Sequence, residues 1–193
     1  MSVIVAIKEN GIVYMGADTQ ATMGNKKENL LNETAFKIVK LNNGILVGFC
    51  GSYKIKQEIL SDESIFTLDE NKTLTKHHIV NHIVPKLSKW LKKFDKNEAL
   101  EIGVDFLIAH NDNLYQISST LDIVKINNIT KIGSGKGCVD YALTYFKFLP
   151  IKERISKALA ESANITEGVS GPYVLIDTID KIYEIIDLKG ENH

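Results

Sequence analysis

The sequence predicts an α+β fold in which two β-sheets pack face to face between outer layers of helices, a four-layer α-β-β-α sandwich. The predicted elements run in the order strands, two helices, strands, two helices, strands. Each sheet would bury one face against the other sheet and have its second face covered by helices. With 193 residues, the chain is long enough to build one substantial core. We therefore predict one domain over residues 1–193, with an ordinary two-layer α+β domain as the alternative.

The first half of the chain contains short β-branched and apolar runs separated by turn residues, which predicts strands. The tight-turn pair Asn10-Gly11 separates the first two runs. The predicted strands here are Ser2–Lys8, Ile12–Ala17, Phe36–Leu41 and Ile45–Phe49. The polar stretch Gln20–Asn32 predicts a loop.

Helical periodicity first appears from Tyr53 to about Leu60. Thr75 is a candidate cap for a second helix that ends near Phe94. Its apolar residues lie four apart on one face, at Ile79, Ile83, Leu87 and Leu91.

The second half repeats this organisation, with strands followed by helices and a closing hairpin. The predicted strands are Val104–His110, Leu114–Ser119, Ile123–Ile126, Thr130–Ile132, Tyr173–Ile179 and Ile182–Leu188. The turn at Gly133-Ser134-Gly135 opens a helix that ends near Leu149, and another helix covers Lys152–Asn164. By itself this turn also fits a simple strand-to-helix connection or a phosphate cradle.

Composition excludes several classes of function. The chain has 23 Lys+Arg and 24 Asp+Glu, and Arg154 is its single arginine, so nucleic acid is a poor ligand. No apolar run approaches the ~20 residues of a membrane span. The start of the chain, Met1–Lys8, lacks the pattern of a secretory signal, so the fold is expected to begin at Ser2. Because Cys50 and Cys138 lie in apolar surroundings, we predict a reduced, cytoplasmic protein.

Three histidines, His77, His78 and His82, raise the question of a metal site. His78 and His82 are four residues apart on a predicted helix, but zinc requires at least three ligands. We therefore interpret this group as part of a solvated helix face.

Residues 16–25, Gly-Ala-Asp-Thr-Gln-Ala-Thr-Met-Gly-Asn, resemble the corresponding segment of proteasome β-type subunits, and most closely that of the heat-shock-locus V (HslV) peptidases. Four further segments resemble the family in the same order along the chain: Phe36-Lys37-Ile38, Phe49-Cys50-Gly51, Ile132-Gly133-Ser134-Gly135 and Glu167-Gly168-Val169-Ser170-Gly171. The resemblance implies the N-terminal-nucleophile hydrolase fold and a threonine-type endopeptidase.

In this register the nucleophile falls on Ser2, which removal of Met1 would expose. A hydroxyl is a weak nucleophile unless a base accepts its proton. The α-amine of an N-terminal residue, with an ordinary pKa of about 8, can be that base. No cofactor is required for this chemistry.

The resemblance also implies roles for the residues around Ser2. Lys37, oriented by Asp18, would keep the amine neutral and stabilise developing negative charge. The rest of the polar network is expected to comprise Ser134, Glu167 and Ser170. The Gly51 amide is the candidate oxyanion donor.

Two of these residues depart from the family pattern. Ser2 replaces threonine and so lacks the methyl group that restricts the hydroxyl rotamer, which predicts lower activity. Glu167 replaces the commoner aspartate and is one methylene longer.

The substrate is expected to lie extended between two backbone segments, Gln20–Thr22 and Phe49–Gly51, as an added strand. Phe49, Tyr53 and Ala21 would shape the pocket for the side chain before the scissile bond, and Thr22 would contribute backbone. We predict a preference for apolar side chains at that position.

The family resemblance further implies a structural monovalent cation held by the backbone carbonyls of Ala163, Thr166 and Val169. It implies homo-oligomeric stacked rings, fed with peptide or protein substrates by an AAA+ ATPase unfoldase. The alternatives are a catalytically silent ring subunit and a stand-alone N-terminal-nucleophile amidase.

Overall fold

The computed structural model describes residues 2–23, 26–92, 104–180 and 182–188. Its strands are β1 (Ile4–Glu9), β2 (Ile12–Asp18), β3 (Gln20–Met23), β4 (Lys26–Asn29), β5 (Ile38–Lys40), β6 (Leu46–Cys50), β7 (Asp105–His110), β8 (Asn113–Ile117), β9 (Ile123–Ile126), β10 (Ile129–Ile132), β11 (Tyr173–Asp177) and β12 (Glu184–Ile186). Its α-helices are α1 (Tyr53–Ser61), α2 (Lys76–His78), α3 (Val84–Leu91), α4 (Lys136–Tyr145) and α5 (Ile151–Ile165).

Two five-stranded antiparallel sheets form the centre of the fold. The first has the order β10-β1-β2-β11-β12, and the second has the order β5-β6-β7-β8-β9. In the first sheet, the central pairing of β1 with β2 places Ile4 opposite Ala17. This register brings the start of β1 next to the end of β2, where Asp18 lies.

Three separate groups of buried side chains correspond to three interfaces between layers. Ile4 and Met15 meet Leu46 and Leu107 between the two sheets. On the outer face of the first sheet, residues of β1 pack against α4 and α5. On the outer face of the second sheet, residues of β6, β7 and β8 pack against α1 and the α2–α3 helix. The predicted four-layer α-β-β-α sandwich is therefore confirmed.

The second predicted helix is continuous from Lys76 to Leu91, because a π-helical segment at Ile79–Ile83 joins α2 to α3. Thr75 caps it as expected, with Oγ1 accepting the amide of His78 at 3.1 Å. The predicted end near Phe94 lies outside the described residues. The following helix, α4, ends at Tyr145 rather than near Leu149.

The prediction of a loop over Gln20–Asn32 is wrong, because the segment contains the hairpin β3–β4. This hairpin is a two-stranded sheet of its own, separate from both five-stranded sheets. The described side chains of the hairpin belong to none of the three buried groups, namely those of Gln20, Ala21, Lys27, Glu28 and Asn29. Hydrophobic periodicity therefore gave no signal for these strands.

No helix among the described residues is both long enough and apolar enough to cross a membrane.

Candidate active site

Ser2 lies two residues before the start of β1, against the turn that connects β10 to α4. Its backbone nitrogen donates to Ser134 Oγ at 3.3 Å, and its carbonyl accepts the Gly135 amide at 3.1 Å. The turn needs glycine at Gly133, where φ is 96° and a Cβ would lie 2.3 Å from the Ser2 carbonyl oxygen. The Gly-Ser-Gly turn therefore fixes the position of Ser2.

Asp18, at the end of β2, bonds both to Val3, the residue after the candidate nucleophile, and to Lys37. One carboxylate oxygen accepts the Val3 amide at 2.8 Å, and the other accepts Lys37 Nζ at 2.7 Å. The Asp18 side chain has no exposed surface, and Lys37 is 13% exposed. The structure thus brings Ser2, Asp18, Lys37 and Ser134 together, although they are far apart in the sequence.

The charge state of Asp18 reflects two opposing influences. Burial raises the pKa of its carboxyl above the ordinary value, because a charged group is poorly solvated in the interior. The positive charge and hydrogen bond of Lys37 oppose that rise. Either ion alone would be poorly solvated at this position, which would lower the stability of the folded protein. Each charge therefore depends on the other.

Gly51 follows β6 and has a φ of 146°, a conformation that side-chain-bearing residues rarely adopt. It lies between the end of β6 and the start of α1, which begins two residues later. The preceding Cys50 is buried, and burial raises the pKa of its thiol well above the ordinary range. A thiolate is the reactive form, so Cys50 acts as a packing residue beside the site.

Glu167 and Ser170 lie in the loop after α5, and their side chains bond to the β3–β4 hairpin. Glu167 Oε1 accepts Lys27 Nζ at 2.9 Å, and Ser170 Oγ donates to Asn29 Oδ1 at 3.1 Å. Lys27 also lowers the pKa of the exposed Glu167 carboxyl, chiefly through this hydrogen bond. Neither of these contacts joins the loop to Ser2.

The expected substrate-binding segments are both strands. Gln20 and Ala21 lie in β3, as does the backbone of Thr22, which pairs with Lys27. Gln20 is buried, whereas Tyr53 is 37% exposed at the start of α1. The Phe49 ring is buried 5.3 Å from the Phe106 ring, so it packs in the core beneath this region.

Sequence reasoning missed Lys56, a lysine in α1 that is only 2% exposed. Its ammonium donates to the Phe36 carbonyl, next to Lys37, and lies 5.4 Å from the centre of the Tyr53 ring. Burial lowers its pKa to about 8, with a smaller effect from Lys37. The available signal was helical spacing, since Lys56 lies three residues before the buried Ile59 on the same face.

The prediction that His77, His78 and His82 lie on a solvated helix face is wrong for His78. His78 is buried, with its ring 3.0 Å from Thr67 Oγ1 and stacked on His82 at 4.6 Å. Within the described ranges, no three His, Cys, Asp or Glu side chains are arranged to hold a metal ion.

The donors expected for a monovalent cation are backbone oxygens at the end of α5 and in the loop that follows. Ala163 lies in the last turn of the helix, where carbonyls have no partner within the helix. The Thr166 carbonyl accepts the Val169 amide at 3.2 Å and keeps a second lone pair. Oxygen donors of this kind fit a hard monovalent cation.

Residues 2–161 match the proteasome subunit family. The chain belongs to this family. The matched residues include β1, the Gly-Ser-Gly turn and most of α5, so the match covers the elements that surround Ser2. The resemblance to proteasome β-type subunits is thereby confirmed, and four of the five sequence motifs lie within the matched residues, whereas Glu167–Gly171 lies beyond them.

Among family members, the chain is 33% identical over 136 residues to the ATP-dependent protease subunit HslV of Borreliella burgdorferi (strain ZS7), covering 68% of this chain and 69% of the relative. It is 29% identical over 170 residues to the ATP-dependent protease subunit HslV of Cytophaga hutchinsonii, covering 84% and 87%. These similarities support the assignment to a family of peptidases.

Solved structures with a similar fold include Thiobacillus denitrificans BPH, with a TM-score of 0.74 and 19% identity over 91% of this chain and 96% of that chain. Eukaryotic HslV from Trypanosoma brucei has a TM-score of 0.63 and 17% identity over 91% and 98%. At these identities the similarity establishes the fold alone.

Proposed function

We propose that the chain is a subunit of a self-compartmentalising ring protease that hydrolyses peptide bonds with Ser2 as its N-terminal nucleophile. The single observation that carries the proposal is the convergence of Ser134 and the Asp18–Lys37 pair on the segment Ser2–Val3. Proteasome-family membership supports the peptidase class.

Removal of Met1 would convert the Ser2 nitrogen into a free amine within reach of Ser134 Oγ. The amine accepts the hydroxyl proton as Ser2 Oγ attacks the scissile carbonyl, and the Gly51 amide stabilises the oxyanion. Collapse of this intermediate expels the leaving amine with that proton and leaves an ester on Ser2. Water then hydrolyses the ester, using the same amine as base, and regenerates the hydroxyl.

Lys37 supports this chemistry through its charge. An ammonium close to Ser2 disfavours protonation of the α-amine and favours negative charge on the attacking oxygen. Asp18 positions that ammonium and also holds the Val3 amide. Asp18 is therefore a positioning residue, and Lys37 is the electrostatic partner of the reacting atoms.

The proposed assembly is a homo-oligomeric stacked ring served by an AAA+ unfoldase. The names of the similar curated proteins state ATP dependence. This sequence contains no Gly-x-x-x-x-Gly-Lys-Ser/Thr motif for nucleotide phosphates, so a partner would hydrolyse the ATP. Backbone carbonyls of Ala163, Thr166 and Val169 are the proposed ligands of a structural monovalent cation.

The decisive test combines intact mass with hydrolysis of fluorogenic peptides by the wild type, Ser2→Ala and Ser2→Thr. We expect the mass of the active protein to lack Met1, Ser2→Ala to be inactive, and Ser2→Thr to retain or exceed wild-type activity. Peptides with an apolar residue before the scissile bond should be cleaved faster than acidic ones.

Equal rates for the wild type and Ser2→Ala would remove Ser2 from the mechanism. Complete retention of Met1 would instead indicate a catalytically silent ring subunit. A monomer on size exclusion would contradict the ring and favour a stand-alone amidase.

A further inference from the structure

The β3–β4 hairpin carries the proposed substrate-binding strand but belongs to neither main sheet. Its two strands are four residues long and pair only with each other, from Gln20 with Asn29 to Met23 with Lys26. A two-stranded hairpin of this kind is marginally stable by itself. Its position relative to Ser2 therefore depends on contacts with the rest of the protein.

Two side-chain contacts join the return strand β4 to the loop after α5. Lys27 Nζ donates to Glu167 Oε1 at 2.9 Å, and Ser170 Oγ donates to Asn29 Oδ1 at 3.1 Å. Backbone bonds next to the hairpin reinforce them, since the Thr19 amide donates to the Ser170 carbonyl at 3.4 Å. Lys27 and Asn29 of β4 are thus both attached to one loop, residues 166–170.

The end of α5 and the loop that follows it also contact the turn that holds Ser2. Ser162 Oγ, in the last turn of α5, donates to the Gly135 carbonyl at 2.8 Å, and a Cβ on Gly135 would lie 3.1 Å from Val169 Cγ2. Gly135 in turn donates its amide to the Ser2 carbonyl. A short chain of contacts therefore runs from the hairpin, through the loop, to the candidate nucleophile.

We propose that Lys27 and Glu167 form a positioning ion pair. Together with the Asn29–Ser170 hydrogen bond, this pair fixes the position of the substrate-binding strand β3 relative to Ser2. The inference rests on the proposed function and deepens it. Glu167 is assigned here to the substrate-binding strand and not to the network around the amine. Neither Lys27 nor Glu167 touches the reacting atoms in this arrangement.

The assignment predicts a specific kinetic signature. An extended peptide binds β3 through its backbone both before and during the reaction, so loosening the strand weakens both states equally. Uniform weakening of binding raises KM and leaves kcat unchanged. A substrate consisting of one acylated amino acid does not extend along β3, and its KM should be insensitive to the ion pair.

The test uses the full chain with single charge reversals Lys27→Glu and Glu167→Lys, and the double variant that swaps the charges. Because exposed ion pairs contribute modestly, each single reversal should raise KM for a tetrapeptide by roughly two- to fivefold. The double variant should recover wild-type KM. The matched control is the exposed pair Lys8–Asp112, at 3.1 Å, whose reversal should leave KM unchanged.

Hydrogen exchange of the segment 20–29 provides a readout that does not require activity. Exchange should be faster in both single variants and return to the wild-type rate in the double variant. If activity survives Ser2→Ala, the proposed function fails, but the exchange rates would still report on the ion pair. The two failures can therefore be told apart.

Two outcomes overturn the inference. One is a fall in kcat for Glu167→Lys while Lys27→Glu behaves like the wild type, which would place Glu167 at the amine. The other is a double variant whose exchange and KM resemble those of the single variants, which would show that the two charges do not act as a pair.

Discussion

The Asp18 carboxylate holds the Lys37 ammonium at 2.7 Å in a position where the aspartate side chain has no contact with solvent. Its other oxygen holds the Val3 amide at 2.8 Å. One buried carboxylate therefore fixes the lysine and the backbone next to Ser2 at the same time.

Lys37→Met should destabilise the protein by about 3–5 kcal/mol, because it leaves a buried carboxylate without its partner. It should also abolish peptide hydrolysis and raise the pKa of Asp18 further. Urea denaturation measures the loss of stability, and carboxyl NMR chemical shifts measure the pKa of Asp18. The double variant Asp18→Asn/Lys37→Met is the control, since it removes both charges and should recover stability without recovering activity.

Activity should fall on acidification at a higher pH than an ordinary aspartate would cause, since burial raises the pKa of Asp18. Protonation of Asp18 removes the charge that holds Lys37. The free energy of unfolding changes with pH in the direction opposite to activity. Between the ordinary and the raised pKa, the folded protein binds the proton and the unfolded chain does not, so stability falls as pH rises through that window.

Denaturation of the wild type and Asp18→Asn across this acidic range tests the sign. The free energy of unfolding of the wild type, relative to that of Asp18→Asn, should fall as pH rises through this window. A wild type that gains stability relative to Asp18→Asn as pH rises would contradict it.

Lys56 should cause a stability change at alkaline pH. Its pKa is lowered by burial from 10.5 to about 8, so the unfolded chain retains a proton that the folded protein has lost. Stability should therefore rise as pH increases from about 8 to 10.5, by on the order of 3 kcal/mol. Lys56→Met should lack this rise in chemical denaturation, and parallel curves for the two proteins would disprove the assignment.

Gly133→Ala should impair both stability and activity. The new Cβ would lie 2.3 Å from the Ser2 carbonyl oxygen, and the backbone φ of 96° already disfavours alanine. We expect a loss on the order of 3 kcal/mol and displacement of Ser2. Thermal denaturation and peptide hydrolysis measure the two effects.

The control for that substitution is Gly137→Ala in the first turn of α4, where a Cβ would meet no atom within 4 Å. Alanine there should be neutral or stabilise by about 0.5–1 kcal/mol. A similar loss in both variants would mean that contact with Ser2 is not the cause.

The apolar strands and amphipathic helices were predictable from local patterns, because each has to bury one regular face. The β3–β4 hairpin was not, since its polar sequence shows no alternation of apolar residues and was therefore interpreted as a loop. Lys56 was missed for a related reason, because a charged residue in a helix is normally exposed and only its long side chain allows it to lie buried with its ammonium at a backbone carbonyl.

The sequence by itself determined the order of the elements, the four-layer fold and the family motifs that contain Ser2, Asp18, Lys37 and Ser134. Only the tertiary structure decided that Asp18 joins Val3 to Lys37 and that Glu167 faces Lys27. The physical reason is distance along the chain. Glu167 and Lys27 are 140 residues apart, so their contact depends on how the loop after α5 packs beside the hairpin and has no signature in a local pattern.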